Sequence, residues 1–240
     1  MTAEELKAVQ NNIQWLMQIK AANLLDTQKI EPIYDGVCDI ELYLKSPTKI
    51  MWVLKEAYDD FNESGEPCGG GWYIYEEWNN KAKINSVTSN RSWQPIMYVL
   101  KALADGGTWD DLSWIRDERE KYLEVLKACA YVNINKLPAG KTSGDLTEKF
   151  KVWEDIINAQ IIAYKPDVII FGNTYGYFSN QCYVKNPQIC QGVPGKTGAY
   201  KTKIGDHPTL LIDAYHPNQR SLTRQEYVDS ILFSVRENLG

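Results

Sequence analysis

The sequence predicts an α/β protein with a mainly parallel sheet. Two observations lead to this prediction: short continuous apolar runs, which are typical of strands buried on both faces, and amphipathic segments that separate those runs. The chain has 240 residues, of which 44% are hydrophobic, which is enough for one domain with a sizeable core. Because alternating strands and helices favour a sheet covered on both faces, we predict three layers, α/β/α, around four strands.

Four segments have the apolar content of buried strands, and each is bounded by polar residues, glycine or proline. The four predicted strands are residues 48–58 (with an apolar core at 50–54), 128–135, 167–172 and 209–214. The segments around them have helical periodicity. The predicted helices are residues 3–25, a helix that begins at Pro95, residues 117–128, residues 145–164 and a last helix that follows Thr223.

Two pairs of residues have the spacing of a capping box, Thr2 with Glu5 and Thr223 with Glu226, and each pair predicts a helix start. The chain contains no internal repeat, low-complexity tract or clear linker. We therefore predict a single domain over residues 1–240, with residues 1–47 as an N-terminal helical cover and residues 48–238 as the core.

The composition narrows the functional classes. A net charge of −5 argues weakly against a protein that coats nucleic acid non-specifically, but it allows a local basic groove. The five cysteines include no C-x-x-C pair, so reduced thiols are favoured over a disulfide framework or a zinc site. No signal peptide is recognisable and no apolar run reaches about 18 residues, so we expect a cytoplasmic protein, a monomer, with no membrane partner.

Polar side chains follow each predicted strand. Ligands of open α/β sheets bind beyond the carboxyl ends of the strands, so these residues are expected to meet in one crevice. Each residue also has an ordinary structural interpretation, because strand-end asparagines often cap turns and a lone histidine often only bonds its neighbours. The strand-end residues are Glu56, Asn133 with Asn135, Gly172-Asn173-Thr174, and Tyr215-His216-Pro217-Asn218.

At the same positions, and in the same order, the chain resembles the uracil-DNA glycosylase superfamily over roughly residues 48–238. The resemblance joins motifs of two branches, the thermophile-type branch and the single-strand-selective branch. The matching stretches are Lys55-Glu56-Ala57-Tyr58-Asp59 (G-E-A-P-G), Gly65-Glu66-Pro67 (G-x-P), Asn135-Lys136-Leu137-Pro138 (N-L-C-P), residues 165–172 leading to Gly172, and Tyr215-His216-Pro217 with Arg220 beyond (H-P-S/A).

The resemblance implies a DNA glycosylase that flips uracil or a related damaged base out of DNA and hydrolyses its N-glycosidic bond. His216 is expected to donate a hydrogen bond to the base oxygen that gains charge as the bond breaks. Asn135, with Asn133 as the alternative, is expected to read the amide edge of the base. Glu56 is expected to position water or to stabilise the developing charge on the sugar. The resemblance implies no metal and no organic cofactor.

The DNA partner, single- or double-stranded, is expected to be held by side chains around this crevice. Tyr58 and Trp72 are candidates for stacking on the base. Residues 192–203 are interpreted as a flexible basic loop near the DNA groove, or as an ordinary solvated loop. The candidates for DNA contacts are Asn218, Arg220, Arg224, Lys196 and Lys201.

Several residues depart from the superfamily pattern. Lys55 replaces a glycine of the first motif and Tyr58 replaces its proline, whereas Ala57 occupies the position of the water-activating carboxylate of another branch. Cys68 stands where the thermophile-type branch has its stacking aromatic residue, and the iron–sulfur cysteine set of that branch is absent. These differences point to an altered base or to lost catalysis.

Two other functions therefore stay open. One is a catalytically degenerate relative that binds nucleic acid or a nucleotide without cleavage, which is favoured by the acidic Asp59, Asp60 and Glu63 beside the crevice. The other is an unrelated α/β hydrolase of a small nucleoside or amide, with Cys68 as its candidate nucleophile. A G-x-S-x-G motif, which would indicate a serine nucleophile, is absent.

Overall fold

The computed structural model describes residues 1–24, 31–66, 68–139, 144–178 and 186–239. Pro67 of the G-x-P motif and Leu25 of the first predicted helix lie outside these residues. The helices are α1 (Ala3–Leu24), α2 (Ile40–Lys45), α3 (Ile74–Asn79), α4 (Ile84–Ser89), α5 (Trp93–Asp105), α6 (Arg119–Lys127), α7 (Thr147–Tyr164) and α8 (Arg224–Leu239). The strands are β1 (Gly36–Val37), β2 (Ile50–Leu54), β3 (Ala130–Asn133), β4 (Val168–Gly172), β5 (Gln188–Cys190), β6 (Thr197–Ile204) and β7 (His207–Ala214).

The predicted α/β fold is confirmed, but the sheet is larger than predicted. It has seven strands in the described chain, in the order β1-β3-β2-β4-β7-β6-β5. The four predicted strands correspond to β3, β2, β4 and β7, which are parallel neighbours. The other three strands are antiparallel to their neighbours, with β1 on one edge and β6 and β5 on the other.

The interpretation of residues 192–203 as a flexible loop was wrong for most of its length. β6 pairs with β7 over its full length, from Thr197 opposite Ala214 to Ile204 opposite His207. The hairpin turns at Gly205, whose φ of 60° lies in the left-handed region that favours glycine. β6 contains lysines and threonines in place of the continuous apolar run that is typical of an inner parallel strand. Its sequence therefore does not indicate a strand.

The sheet buries both of its faces because successive side chains of a strand point in opposite directions. In β2, Ile50, Trp52 and Leu54 join one hydrophobic cluster, which includes apolar residues of α5 and α8. Met51 and Val53 join a second cluster, to which α1 and α7 contribute. The continuous apolar run of β2 therefore reflects burial on two sides, as predicted for an inner parallel strand.

Both predicted capping boxes are confirmed. At the start of α1, the Glu5 backbone N–H donates to Thr2 Oγ1 at 3.1 Å, and the Thr2 N–H donates to the Glu5 carboxylate at 2.8 Å. At the start of α8, the Glu226 N–H donates to Thr223 Oγ1 at 3.2 Å, and the Thr223 N–H donates to the Glu226 carboxylate at 2.9 Å. These bonds satisfy backbone donors that a helix start leaves without partners.

The N-terminal segment does more than cover the sheet, because it contributes β1 and a buried carboxylate. Asp35, just before β1, and Lys136, just after β3, both have side chains that are 0% exposed. The Lys136 ammonium lies 2.9 Å from both Asp35 oxygens, and Gln160 of α7 hydrogen-bonds to both side chains. The Asn133 backbone N–H also donates to Asp35, at 2.6 Å. This network ties the N-terminal segment to the end of β3.

Candidate active site

The carboxyl ends of the four parallel strands lie at one level of the sheet. Leu54 at the end of β2 pairs with Asn133 at the end of β3, and Gly172 at the end of β4 pairs with Ala214 at the end of β7. The polar segments that follow these residues therefore meet along one edge, as the sequence predicts. In an open α/β sheet this edge is where ligands bind.

A cavity of about 700 Å³ opens at this edge, on the side of the sheet covered by α3, α4 and α5. A volume of this size suits a ligand larger than a single small ring. Four of the predicted site residues line it: Glu56, Tyr58, Trp72 and His216. Its other lining residues are Leu54, Lys55, Ala57, Asp60, Glu77, Trp78, Lys83, Ser86, Val87, Asn90, Ser92, Trp93 and Tyr131.

His216 is held in a defined position and protonation state. Gly172 allows the His216-Pro217 segment to cross the end of β4, because a Cβ at Gly172 would lie 3.1 Å from Pro217 Cδ. The Asn218 backbone N–H donates to His216 Nδ1 at 3.1 Å, so the neutral ring carries its proton on Nε2. Burial and the charge of Lys55 lower the pKa of His216 to about 4. His216 is therefore a neutral hydrogen-bond donor at physiological pH.

The carboxylate of Glu56 is almost completely buried. Its side chain is 1% exposed, and Oε2 accepts hydrogen bonds from Lys149 Nζ at 2.7 Å and from Asn135 Nδ2 at 3.0 Å. Lys149 belongs to α7 and, like Asn135, does not line the cavity. Glu56 therefore sits at the cavity with its charge compensated from the opposite side.

Asn133, at the end of β3, and Asn135, two residues later, have different surroundings. Asn135 donates to Glu56 and to the Leu137 carbonyl through Nδ2, and its Oδ1 accepts the Leu137 N–H at 3.2 Å. Its amide is thus occupied in holding Glu56 and the local turn. Neither Asn135 nor Asn133 lines the cavity. The structure brings Asn135 to Glu56 but does not bring its amide to the cavity.

Asn133 lies behind Tyr131, and one of its side-chain atoms has no hydrogen-bond partner. Its Oδ1 accepts a hydrogen bond from the hydroxyl of Tyr131 at 2.8 Å, and Tyr131 is itself a lining residue. Its Nδ2 is buried without a hydrogen-bond partner, which is unusual for an interior amide. The Nε1 atom of Trp52, whose residue pairs with Tyr131 across the sheet, is in the same condition. Two unsatisfied donors therefore lie near the floor of the cavity.

Sequence reasoning missed the aromatic wall of the cavity, which consists of Trp78, Trp93 and Tyr131. Trp93 packs edge-on against Trp78, with ring centroids 5.1 Å apart, and against Tyr131, with centroids 4.5 Å apart. Such edge-to-face packing fixes the orientation of the rings. Trp93 is the partly exposed member of the three, whereas Trp78 and Tyr131 are buried. The concentration of tryptophans between residues 72 and 93 was the available signal, but this stretch shows no clear period.

The loop at the cavity mouth carries exposed aromatic and acidic side chains. Tyr58 is 58% exposed and lines the cavity, and Asp60 lines it as well. Asp59 is instead occupied within the loop, where its carboxylate accepts the Gly69 N–H at 2.7 Å. Cys68 is exposed and does not line the cavity. A nucleophilic role for Cys68 in this site therefore has no geometric support.

The predicted DNA-contact residues differ in their surroundings. Asn218 and Arg220 are exposed in the segment that follows His216, and neither lines the cavity. Arg224 stacks over the Tyr98 ring at 5.6 Å, and Lys196 pairs with Glu226 at 2.9 Å. Lys201 pairs with Leu210, four positions before Ala214, so it lies about 13 Å along the strand from the cavity edge.

No protein-family model matches the chain, and a search of curated protein sequences finds no match to it. Within the described residues, no helix has both the length and the apolar content needed to cross a membrane.

Proposed function

We propose that the protein is a DNA glycosylase with a three-layer fold like that of uracil-DNA glycosylases, which hydrolyses the N-glycosidic bond of uracil or a related damaged base. The observation that carries the proposal is the state of His216, a neutral imidazole with its proton on Nε2 in an aromatic-walled cavity. Such a group donates a hydrogen bond to an oxygen that becomes negative in the transition state, without first having to lose a proton.

The reaction follows from the charges that develop. As the bond between C1′ and the base nitrogen breaks, its electron pair moves to the base, and the sugar becomes positively charged. His216 stabilises the base anion, whereas the Glu56 carboxylate stabilises the cationic sugar or positions the attacking water. Water then bonds to C1′ and loses a proton, and the released base takes up a proton from solvent.

The surrounding residues have supporting roles in this proposal. Trp93, which Trp78 and Tyr131 hold in place by edge-to-face packing, provides the ring against which the flipped base stacks. Asn135 acts as a positioning residue, because its amide holds Glu56 and is not available to the base. Asn133 acts as a positioning residue as well, because it does not line the cavity and its Oδ1 holds the hydroxyl of Tyr131, which does. Asn218 and Arg220, which follow His216 in the chain and are exposed, are the candidates for contacts with DNA backbone.

One observation favours a second candidate, a relative that binds nucleic acid or a nucleotide without cleaving it. The carboxylate of Glu56 is 1% exposed and already paired with Lys149 and Asn135. With Oε2 held in this way, the carboxylate acts on water or on a sugar only if these hydrogen bonds rearrange. Without that rearrangement, the cavity and His216 would bind a base but leave the glycosidic bond intact.

A cleavage assay on single- and double-stranded oligonucleotides that contain uracil tests the proposal. His216→Ala and Glu56→Ala are run beside the wild type, and His207→Gln is the matched control, because the only other histidine lies at the far end of β7. We expect abasic sites with wild type and His207→Gln but not with the other two variants. DNA binding without cleavage by the wild type would favour the second candidate, and the absence of both would refute uracil cleavage and DNA binding.

A further inference from the structure

We propose that Lys55 is a second catalytic residue of this site, whose ammonium group contacts and stabilises the base as it leaves as an anion. This inference rests on the proposed function. It concerns the position at which the first motif of the related enzymes has a glycine and this chain has a lysine. The substitution therefore adds a charge to the centre of the site and does not simply crowd it.

The position of Lys55 supports this role. It directly follows β2, next to Glu56, and it lines the same cavity as His216 and the aromatic wall. Its backbone carbonyl accepts the Asn135 N–H at 3.0 Å, which fixes the main chain at the end of the strand. A lysine at this point has its backbone anchored and only its flexible side chain free to meet a ligand.

The charges around the cavity leave Lys55 as an uncompensated cation. The other lining lysine, Lys83, forms an ion pair with Glu77 at 2.5 Å. Glu56 is paired with Lys149 from the opposite side. In the described part of the chain, no carboxylate lies within ion-pair distance of Lys55, and the remaining acidic lining residue is Asp60.

Lys55 and His216 act on the same developing charge in different ways. When the C1′–N bond breaks, the electron pair that formed it leaves with the base, and the anion is stabilised by any fixed positive charge nearby. The Lys55 charge also helps to lower the pKa of His216, so the imidazole stays a neutral donor beside the cation. A protonated His216 would repel the Lys55 ammonium group. A neutral His216 does not, so its Nε2–H and the Lys55 charge can act on the same anion.

The first experiment measures the Lys55–His216 coupling without any substrate. The titration of His216 is followed by NMR in wild type, Lys55→Met, Lys55→Arg and Lys81→Met, with His207 as an internal reference. Lys81 is exposed and lies outside the cavity, so its replacement is a matched loss of one charge. We expect the His216 pKa to rise toward its ordinary value in Lys55→Met only. An unchanged His216 titration in Lys55→Met would overturn the proposed proximity.

The second experiment compares two leaving groups in single-turnover cleavage, uracil and the more acidic 5-fluorouracil. If Lys55 stabilises the leaving anion, Lys55→Met slows uracil release about tenfold or more, and slows 5-fluorouracil release distinctly less. Lys55→Arg retains most of the rate because it retains the charge. Equal losses with both bases would show that Lys55 acts on binding or folding, and would overturn the proposal.

A third measurement separates failure of this inference from failure of the proposed function. Binding of free 5-fluorouracil is measured by calorimetry below and above the pH at which that base ionises. Tighter binding of the anion to the wild type, lost in Lys55→Met, supports the role of Lys55 even if the wild type cleaves no DNA, in which case only the cleavage proposal fails. If the anion binds no more tightly than the neutral base, the inference about Lys55 is refuted whatever the cleavage assay shows.

Discussion

At the scale of single residues, the pKa of His216 sets the expected pH dependence of the reaction. Its pKa of about 4 means that the ring is neutral throughout the physiological range. We therefore expect the His216-dependent part of kcat/KM to stay constant from about pH 6 to pH 8 and to fall only as the ring becomes protonated near pH 4. A pH–rate profile of wild type against His216→Gln measures this part. A decline centred near pH 6.5 would contradict the expectation.

The same residue links the stability of the fold to pH. The pKa of His216 is about 4 in the folded chain, against its ordinary value of 6.5 in an unfolded chain. Between these values the unfolded chain binds the proton more strongly, so the free energy of unfolding falls as the pH decreases from 6.5 to 4. We expect part of this loss to disappear in His216→Gln. Denaturant unfolding at pH 7 and pH 4.5 measures it, and identical losses in the two proteins would contradict the link.

At the scale of secondary-structure elements, the buried pair of Asp35 and Lys136 joins β1 and its flanking segment to the end of β3. Asp35→Ala leaves Lys136 buried without a counter-charge, so we expect the free energy of unfolding to fall by about 3–5 kcal/mol. The double variant Asp35→Leu/Lys136→Met removes both charges, and we expect it to recover much of that loss. Glu41→Ala, which breaks the exposed pair with Lys45, is the control and should be much less destabilising than Asp35→Ala, because solvent screens a surface ion pair.

Chemical denaturation of the four proteins measures these differences. If Asp35→Ala were no more destabilising than Glu41→Ala, the buried pair would contribute nothing beyond a surface ion pair. If the double variant were as unstable as the single one, the loss would come from packing and not from an uncompensated charge.

The close contact between β4 and the histidine turn makes a second prediction at this scale. A methyl group added at Gly172 collides with the Leu54 side chain and lies 3.1 Å from Pro217, so Gly172→Ala pushes Leu54 toward the cavity and displaces His216. We expect kcat/KM for base release to fall about tenfold or more, because small displacements of catalytic groups are costly. Gly176→Ala, where an added Cβ has no neighbour within 4 Å, is the control. Retained activity in Gly172→Ala would contradict the role of the contact.

The elements that could be predicted from the sequence are those whose burial leaves a recognisable pattern of apolar residues. β2 and β4 are continuous apolar runs because both faces are covered, and α7 is long enough to show a helical stripe. α3 has six residues, which is too short for a period to be recognised, so the part of the aromatic wall that Trp78 contributes was not predicted.

The candidate site was only partly predictable for a related reason. His216 and Glu56 directly follow strands, so topology alone brings them to one edge. The side chain of Asn135 also follows a strand, but its direction depends on a turn in which the amide bonds to Leu137 and Glu56. Sequence spacing does not encode that direction. Nor does it encode the Lys149 contact, which joins residues 93 positions apart.

At the scale of the whole molecule, the distribution of charge limits how DNA is held. The chain has a net charge of −5, so binding must depend on a few local cations. We expect Arg220→Ala, at an exposed position shortly after His216, to weaken DNA binding and to reduce the salt dependence of the affinity by about one unit of slope. Lys201→Ala should change neither, because Lys201 lies away from the cavity edge. Equal effects of the two substitutions in salt-dependent binding titrations would contradict this placement.

The pairing of Asp35 with Lys136 limits how the chain can be truncated and how its sequence can change during evolution. The recognisable motifs begin near residue 48, which suggests that the part before them is optional. Yet Lys136 lies next to Asn135, which holds Glu56, and the only carboxylate that pairs with Lys136 in the described structure comes from position 35. A fragment that starts at residue 48 would keep every motif but would lose Asp35, the carboxylate that balances the buried charge of Lys136. Positions 35 and 136 should therefore change together among descendants of this chain, and a natural version that lacks the N-terminal segment should carry an uncharged residue at position 136.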